Sequence, residues 1–566
     1  MAMVERAATW LAAACAFVAQ ILYAVHFYKP HFQSDDAVLN MLAEAMWEQG
    51  TLLPRGWITN NGDLMVPSGA ILLAPLLSWI PNGFHAHAIV GVFAIVVMLL
   101  AFVWFLQQRI HDVSILAAAT AVCLSGLSWY CAHAIYQQTT YLWWPAGFFV
   151  GAALIWKSWR ARPDRNASRW CGIALFLLVA IICFANPART VIMFVLPLYA
   201  FDRALALSNG TNPGGLAKHW LHRFGVGDGS SSIALGLGFV TSAAGYAWLT
   251  YSGRVETLHS ASGLHWAGWG SVAMHARLFL EGWFPLLGFG PNRVGLESGY
   301  FAVVMEWGRL LLALWLTWVA VHETLTVRRQ QDPFRRALTY AFLAAFLPIL
   351  ALYVFLAPLA VDVSTMRYFI VPLFILLALA AVRVAYAPSR NDRAFQVAIV
   401  IVCLVVSQTS MQRFVFHANQ PISDFWHINP SAHMQLADTL KLEGLKWGYA
   451  TWWNAGATTV ASEGEVRVNP VILADGQVRP FPFMVQKAWY DPSSWRGETF
   501  LVLDATEGSE ETLRGMRASL GAPSRVVEAP FHKIFVYDHN ILGCDQGRPM
   551  SQRTGSGAVG FCTARD

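Results

Sequence analysis

The stretch Phe32-Gln-Ser-Asp-Asp-Ala-Val-Leu-Asn-Met-Leu-Ala-Glu-Ala-Met-Trp-Glu-Gln-Gly50 follows directly on a long apolar run. Ser34 has the chemistry of a helix N-cap. Asp35 and Asp36 fall in the first turn, where the positive end of the helix dipole favours carboxylates. Leu39, Leu42, Ala43 and Met46 recur on one face. The pattern predicts an amphipathic helix over residues 36–49, lying on a membrane surface. The acidic pair then reads in two ways. It caps the helix, or it takes a proton from an acceptor hydroxyl at headgroup height. Adjacent carboxylates oppose each other's ionisation, which raises one of the two toward a useful range.

The surrounding composition decides where such a helix sits. Of the 566 residues, 56% are hydrophobic and 13% charged. A soluble domain averages about 25% charged residues. This excludes an ordinary soluble enzyme, a disordered chain and a fibrous protein, and leaves a polytopic membrane protein. Trp 25, Tyr 16 and Phe 35 suit aromatic belts at both interfaces. The net charge of +5 belongs to cytoplasmic loops, so no nucleic-acid partner is implied. The eight cysteines show no CxxC or zinc spacing.

Eleven apolar runs have spanning character, at about 7–28, 88–106, 113–130, 141–156, 170–186, 190–206, 232–250, 299–321, 338–358, 368–388 and 395–412. The first resembles a signal peptide but lacks a convincing A-x-A cleavage site, so it reads as a retained anchor. Leu64–Ile80 is also apolar, but Pro67, Pro75 and Pro81 interrupt it. Charge settles its place. With this segment on the outer surface, Lys157/Arg160/Arg162/Arg165/Arg169, Arg328/Arg329/Arg335/Arg336 and Arg383/Arg390/Arg393 share one side with Arg6 and Arg109. With it spanning, the first cluster moves outside. The positive-inside rule selects the first arrangement. The expected localisation is a multi-pass protein of the bacterial inner membrane, with a cytoplasmic N-terminus. The sequons at Asn166 and Asn209 fall inside, which is compatible.

The long outer loops run over about 29–87 and 252–298. In the first, Asp35-Asp36, Leu42-Ala43, Met46, Gly50 and Pro54-Arg55 fall in step with the first outer loop of GT-C glycosyltransferases, which this segment resembles. Aminoarabinose transferases and protein O-mannosyltransferases begin that loop with Asp-Glu. The loop architecture and a C-terminal outer domain match as well. The motif covers only about 32–67; the topology covers 1–412. There are departures: Leu39 stands where the family often has Tyr, and Asp63-Leu-Met-Val-Pro67 lacks the Lys of a Lys-Pro-Pro motif.

The resemblance implies a polyprenyl-phosphate sugar donor and a lipid, glycan or protein hydroxyl as acceptor, with inversion and Asp35 as general base. Asp36 would orient the base or the acceptor. Arg367, Arg189 and Arg293 are the candidates for the donor phosphate, since guanidinium–phosphate pairing is strong in a low dielectric. Snorkelling at a helix end is the bland reading of each. Arg55, Asp63, His133, His265, Glu306 and Arg309 are candidates for substrate contacts. Glu306 and Arg309, one turn apart inside a span, also read as a local ion pair. No metal or other cofactor is expected: the next outer loop, around His133, adds no carboxylate, and a hard cation wants several oxygen ligands.

Residues 413–566 hold 16 of the 34 acids and no long apolar run. Phe500–Asp504, Ser524–Val527 and Lys533–Asp538 read as strands and Glu510–Leu520 as a helix, giving a soluble periplasmic α/β domain. Cys544 and Cys562 suit a disulfide in an outside tail. The domains expected are thus 1–412, a GT-C-like membrane part, and 413–566. Two other classes fit the composition: a transporter or flippase for lipid-linked glycans, which would need repeats and broken helices, and a non-catalytic scaffold of envelope assembly. Cysteine-accessibility labelling discriminates the topologies. Position 162 is expected inside and positions 63 and 475 outside; an outside label at 162 overturns the eleven-span arrangement.

Overall fold

The computed structural model describes residues 2–60, 62–65, 68–125, 135–136, 140–161, 165–208, 230–258, 265–289, 300–357, 363–387, 389–415, 429–474 and 477–542. Arg293, His133, Cys544 and Cys562 lie outside these. Contacts divide the chain into two compact units. One comprises Met1–Phe27, Gly91–Trp248 and Ala261–Phe425; the other comprises Tyr28–Val90, Leu249–Ser260 and Trp426–Asp566.

The first unit is helical. Among the described residues eight helices are long and apolar enough to cross a membrane: Arg6–Phe27, Phe84–Gln107, Asn166–Phe184, Pro187–Leu207, Ser231–Tyr251, Glu306–Arg329, Pro333–Phe355 and Thr365–Ala385. The protein is therefore a multi-pass membrane protein. Three more expected spans also hold helices: Val113–Leu124, apolar but short, Thr140–Arg160 and Arg390–Val415. The latter two carry charged residues at their ends. Aromatic rings fill the interior of this unit: Phe105 stacks on Phe334 at 5.1 Å and Phe102 meets Phe149 edge-on at 5.1 Å. Gly147 lets helices close; a Cβ there would stand 2.2 Å from Ile182.

Several of the basic clusters converge at one end of this bundle. Glu323 is fully buried, and its carboxylate accepts from Arg335 Nε at 2.7 Å, from Gln330 Nε2 at 2.6 Å and from Arg383. Arg109 pairs with Asp332 at 2.8 Å and lies over the Tyr386 ring. Arg109, Arg335 and Arg383, which the charge pattern had placed on one side, are thus joined through two carboxylates. A buried carboxylate keeps its charge only when paired in this way.

The second unit is built on a six-stranded mixed sheet. We label its helices α1 (Ser34–Gln49), α2 (Gly69–Leu76), α3 (Ala432–Leu442), α4 (Trp452–Ala461) and α5 (Glu510–Leu520). Strands β1 (Ile58–Asn60) and β2 (Glu256–Leu258) form a separate parallel pair. The sheet contains β3 (Trp447–Thr451), β4 (Arg467–Ala474), β5 (Gln477–Pro480), β6 (Thr499–Asp504), β7 (Arg525–Ala529) and β8 (His532–Tyr537). Their order is β5-β4-β3-β6-β8-β7, with β3 parallel to β4 and β6 and the outer pairs antiparallel. The three expected strands are β6, β7 and β8, and the expected helix is α5. Strands β3, β4 and β5 and helices α3 and α4 were not read from sequence.

Leu64–Ile80, expected not to span, has among its described residues only the eight-residue α2, about 12 Å long at 1.5 Å per residue, far short of a span. One expectation is corrected here. Helix α1 is not a one-faced surface helix. Ala37, Val38, Leu39, Asn40, Met41, Leu42, Ala43, Ala45 and Met46 are all buried, because α2 and α4 both pack on it within this unit. Val38, Leu39, Met41, Leu42 and Met46 share one apolar cluster with Tyr449, Val471, Leu501 and Leu503 of the sheet. Each such side chain contributes about 1.5–3 kcal/mol on full burial. The first outer loop, grouped with the membrane part by the sequence boundary at 412, thus folds with the C-terminal sheet.

Gly448 of β3 stands opposite Phe500 of β6, and a Cβ there would fall 2.3 Å from the Phe500 ring. Gly448→Ala is expected to destabilise the full-length protein by about 1–3 kcal/mol through overpacking. A thermal unfolding scan in detergent checks this, and an unchanged midpoint would show that the sheet repacks freely.

Candidate active site

The acidic pair divides into two environments. Gln33, with extended backbone (φ −135°, ψ 178°), is the N-cap of α1, and Asp36 occupies the third helical position. Asp36 is fully buried, and its Oδ2 accepts from the Gln33 N–H at 2.9 Å and from the Tyr28 hydroxyl at 3.0 Å. This is the reciprocal capping arrangement, one residue earlier than expected. Asp35, its neighbour, is half-buried and points from another side of the first turn.

Ser34 is released from capping for another task. Its Oγ donates to the Trp453 carbonyl at 3.0 Å and accepts from the Ala457 N–H at 3.3 Å, both on α4. Gly456 faces Ala37; an added Cβ would lie 3.2 Å from the Ala37 methyl. The acidic end of α1 is thereby seated on α4. Helix α4 is itself fixed to the sheet, as His532 Nε2 lies 3.3 Å from Asn454 Oδ1. Burial, with His532 adding to it, holds the His433 imidazole nearby below its ordinary value.

Further along α1, Glu44 accepts from Arg467 Nη2 of β4 at 2.6 Å, and the Arg467 guanidinium covers the Trp489 ring at 4.1 Å. At the far end Gly50 closes the helix at φ +61°, the left-handed region that glycine enters without a Cβ penalty. Beyond it the Arg55 carbonyl accepts from Gln486 Nε2 at 2.6 Å and the Ile58 N–H donates to Val485 at 3.1 Å.

The other sequence candidates distribute as follows. Arg55 has its side chain exposed just past α1, its backbone tied to Gln49. Asp63 is buried, and its Oδ1 accepts from the Met65 N–H at 3.0 Å, holding Met65 at φ +52°. A buried non-glycine residue in that region is strained, and such strain gathers at functional sites. Arg189, Arg367, His265, Glu306 and Arg309 belong to the helical unit. Arg189 follows the Asn186 cap and lies 5.8 Å from the Trp144 ring centre. Arg367 is half-buried on the 3-10 turn Val363–Phe369, beside Tyr368. His265 is exposed in a two-residue strand opposite Ala357. Glu306 and Arg309 form an ion pair at 3.1 Å, with Arg309 buried. Among the described residues no three His, Cys, Asp or Glu side chains gather as a metal site would require.

Sequence reasoning passed over Asn40, Glu44, Asn82, His87 and Arg467, which lie along the buried side of α1. The one available signal was Asn40, a polar residue at a position flanked by Leu39 and Met41.

The spanning helices, the acidic helix that follows the first of them and the mixed sheet make up a GT-C-like membrane fold. The structure of ArnT from Cupriavidus metallidurans bound to undecaprenyl phosphate is similar over 93% of this chain and 97% of its own length, with TM-score 0.51 at 10% identity. The apo structure of the same protein gives the same coverage, TM-score 0.52 and 12% identity. An oligosaccharyltransferase from Archaeoglobus fulgidus, tethered with an acceptor peptide, aligns over 88% of this chain and 69% of its own, with TM-score 0.43 and 12% identity. At such identities the likeness is one of fold. No family model matches the chain, and no curated protein matches it.

The two aspartates are expected to differ in stability. Asp36→Ala removes the acceptor of two buried donors and costs about 1–3 kcal/mol. Asp35→Ala leaves the cap intact and shifts the midpoint little. Thermal unfolding of both variants decides it; equal shifts would reverse the assignment of the cap.

Proposed function

We propose that this protein is an inverting membrane glycosyltransferase. It moves a sugar from a polyprenyl phosphate to a hydroxyl of a lipid, glycan or protein acceptor at the outer, periplasmic face of a bacterial inner membrane. The observation that carries this reading is Asp35. It is a half-buried carboxylate beside a fully buried one, at the start of a buried helix, in a chain with a GT-C-like fold. The ArnT structure with undecaprenyl phosphate supports a lipid phosphate as the donor's carrier.

The step needs one base and one stabilised leaving group. Asp35 takes the proton from the acceptor hydroxyl as its oxygen attacks the anomeric carbon from the face opposite the phosphate. The carbon–oxygen bond to the phosphate breaks, configuration inverts, and the polyprenyl phosphate leaves as the anion. Arg367, Arg189 and Arg293 are the cations proposed to meet that developing charge. Asp36 acts on the base indirectly, by holding the first turn of α1. Residues 1–412 supply the lipid-facing part and 413–566 the outer domain; the loop that carries Asp35 folds with the latter. Arg55, Asp63, His133, His265, Glu306 and Arg309 remain proposed substrate contacts.

Asp35→Asn keeps the size of the side chain and removes the base. General-base loss costs about 10²–10⁴ in rate. Transfer from a synthetic polyprenyl-phosphate sugar by purified enzyme, assayed with and without EDTA, tests the reading. The expected result is normal folding and donor binding, near-abolished transfer by Asp35→Asn, and wild-type transfer unaffected by EDTA. Near-wild-type turnover by Asp35→Asn removes this residue from the mechanism. Loss on chelation, restored by Mn²⁺ or Mg²⁺, would make the aspartates metal ligands instead.

A further inference from the structure

A chain of buried side-chain hydrogen bonds runs along α1, and its direction is fixed at two points. Glu44, an acceptor only, takes one bond from Arg467 Nη2 at 2.6 Å and one from Asn82 Nδ2 at 3.2 Å. That orients the Asn82 amide, so its Oδ1 accepts from Asn40 Nδ2 at 2.9 Å. The Gly83 carbonyl, also an acceptor only, receives a second bond from Asn40 Nδ2 at 3.2 Å. The Asn40 amide is therefore oriented twice over, with its Oδ1 toward His87. His87 Nδ1 lies 3.0 Å from that oxygen and must donate to it. Neutral His87 then carries its proton on Nδ1 and its lone pair on Nε2.

The chain ends close to the acidic turn. The His87 ring stands edge-on to Phe32, with centroids 5.0 Å apart and planes at 84°, and Phe32 precedes Asp35 by three residues. Asn40, Asn82 and His87 are all nine-tenths buried or more. A buried donor or acceptor left unmatched costs about 1–3 kcal/mol, so every member holds the next in place. The chain thus ties β4 of the sheet, the middle of α1, the segment at Asn82 and the entry to α1 at Phe32.

We propose that Asn40 and His87 are positioning residues for Asp35, with His87 locked as the Nδ1–H tautomer by the chain that starts at Arg467 and Glu44. Neither residue touches the reacting atoms in this assignment. They set where the first turn of α1 lies, and a shift of about 1 Å at a catalytic group costs up to about a hundredfold in rate. The positioning role rests on the reading of Asp35 as the base; the tautomer does not.

The test uses full-length protein carrying Asn40→Leu, His87→Gln or His87→Asn. An asparagine amide nitrogen falls near the place of Nδ1 and can still donate to Asn40; a glutamine amide nitrogen falls near Nε2 and cannot. Expected are a kcat lowered about ten- to a hundredfold with donor KM unchanged for Asn40→Leu and His87→Gln, and recovery of most of kcat in His87→Asn. Wild-type kcat in the first two, or equal loss in His87→Gln and His87→Asn, overturns the positioning role. Independently, the spectrum of selectively ¹⁵N-histidine-labelled protein, with the His87 signals identified by their loss in His87→Asn, is expected to show a protonated Nδ1 and an unprotonated Nε2. A protonated, neutral Nε2 form overturns the chain. That measurement needs no transfer assay, so a failed glycosyltransferase reading and a failed hydrogen-bond chain are told apart.

Discussion

The contact on which the second unit depends is the seating of α1 on the C-terminal sheet and its helix α4. Ser34 bonds α4 at one end, and Glu44 pairs with Arg467 of β4 almost three turns later. Apolar side chains between these polar points supply most of the burial energy. The polar contacts supply register: a helix shifted by one turn would separate Glu44 from Arg467, whose side chains are largely buried. Breaking such a pair costs about 3–5 kcal/mol. The direction in which Asp35 faces follows from that register.

The division of labour between Asp35 and Asp36 follows from the same seating. Because Ser34 is spent on α4, the cap moves to Gln33, and the carboxylate at the third helical position becomes the structural one. Asp36 also receives the Tyr28 hydroxyl, which ties the end of the preceding segment to the helix start. Asp35, on the same turn, is half-buried. Two adjacent acids in one sequence motif thus acquire unlike surroundings, which is how neighbouring carboxylates come to take different roles.

In the helical unit charge is used differently. Glu323 is buried among Arg335, Arg383 and Gln330, and Asp332 holds Arg109. These carboxylates neutralise part of the positive excess on which the topology was argued and bind the ends of several helices into one knot. The expected clusters are therefore more than a topological label. Arg335 and Arg383 meet at Glu323 and Arg109 pairs with Asp332, because a bundle that gathers cations at one end must pair those it buries.

Much of this was legible in the residues themselves. Apolar run length and the one-sided arginines gave the spanning helices. The Asp35-Asp36 motif with Gly50 and Pro54-Arg55 gave the fold resemblance, and Phe500–Asp504 and Lys533–Asp538 gave two core strands. These are local signals of period, charge and turn chemistry, and they need no knowledge of distant neighbours. Only the tertiary structure decided that α1 is buried on several sides, that Gln33 and not Ser34 caps it, and that Asn40, Glu44, Asn82, His87 and Arg467 form one chain. Glu44 and Arg467 lie more than four hundred residues apart. Neither stands out until the sheet folds, because a charge's worth depends on what it meets in the interior, and sequence spacing records only what lies within a few turns.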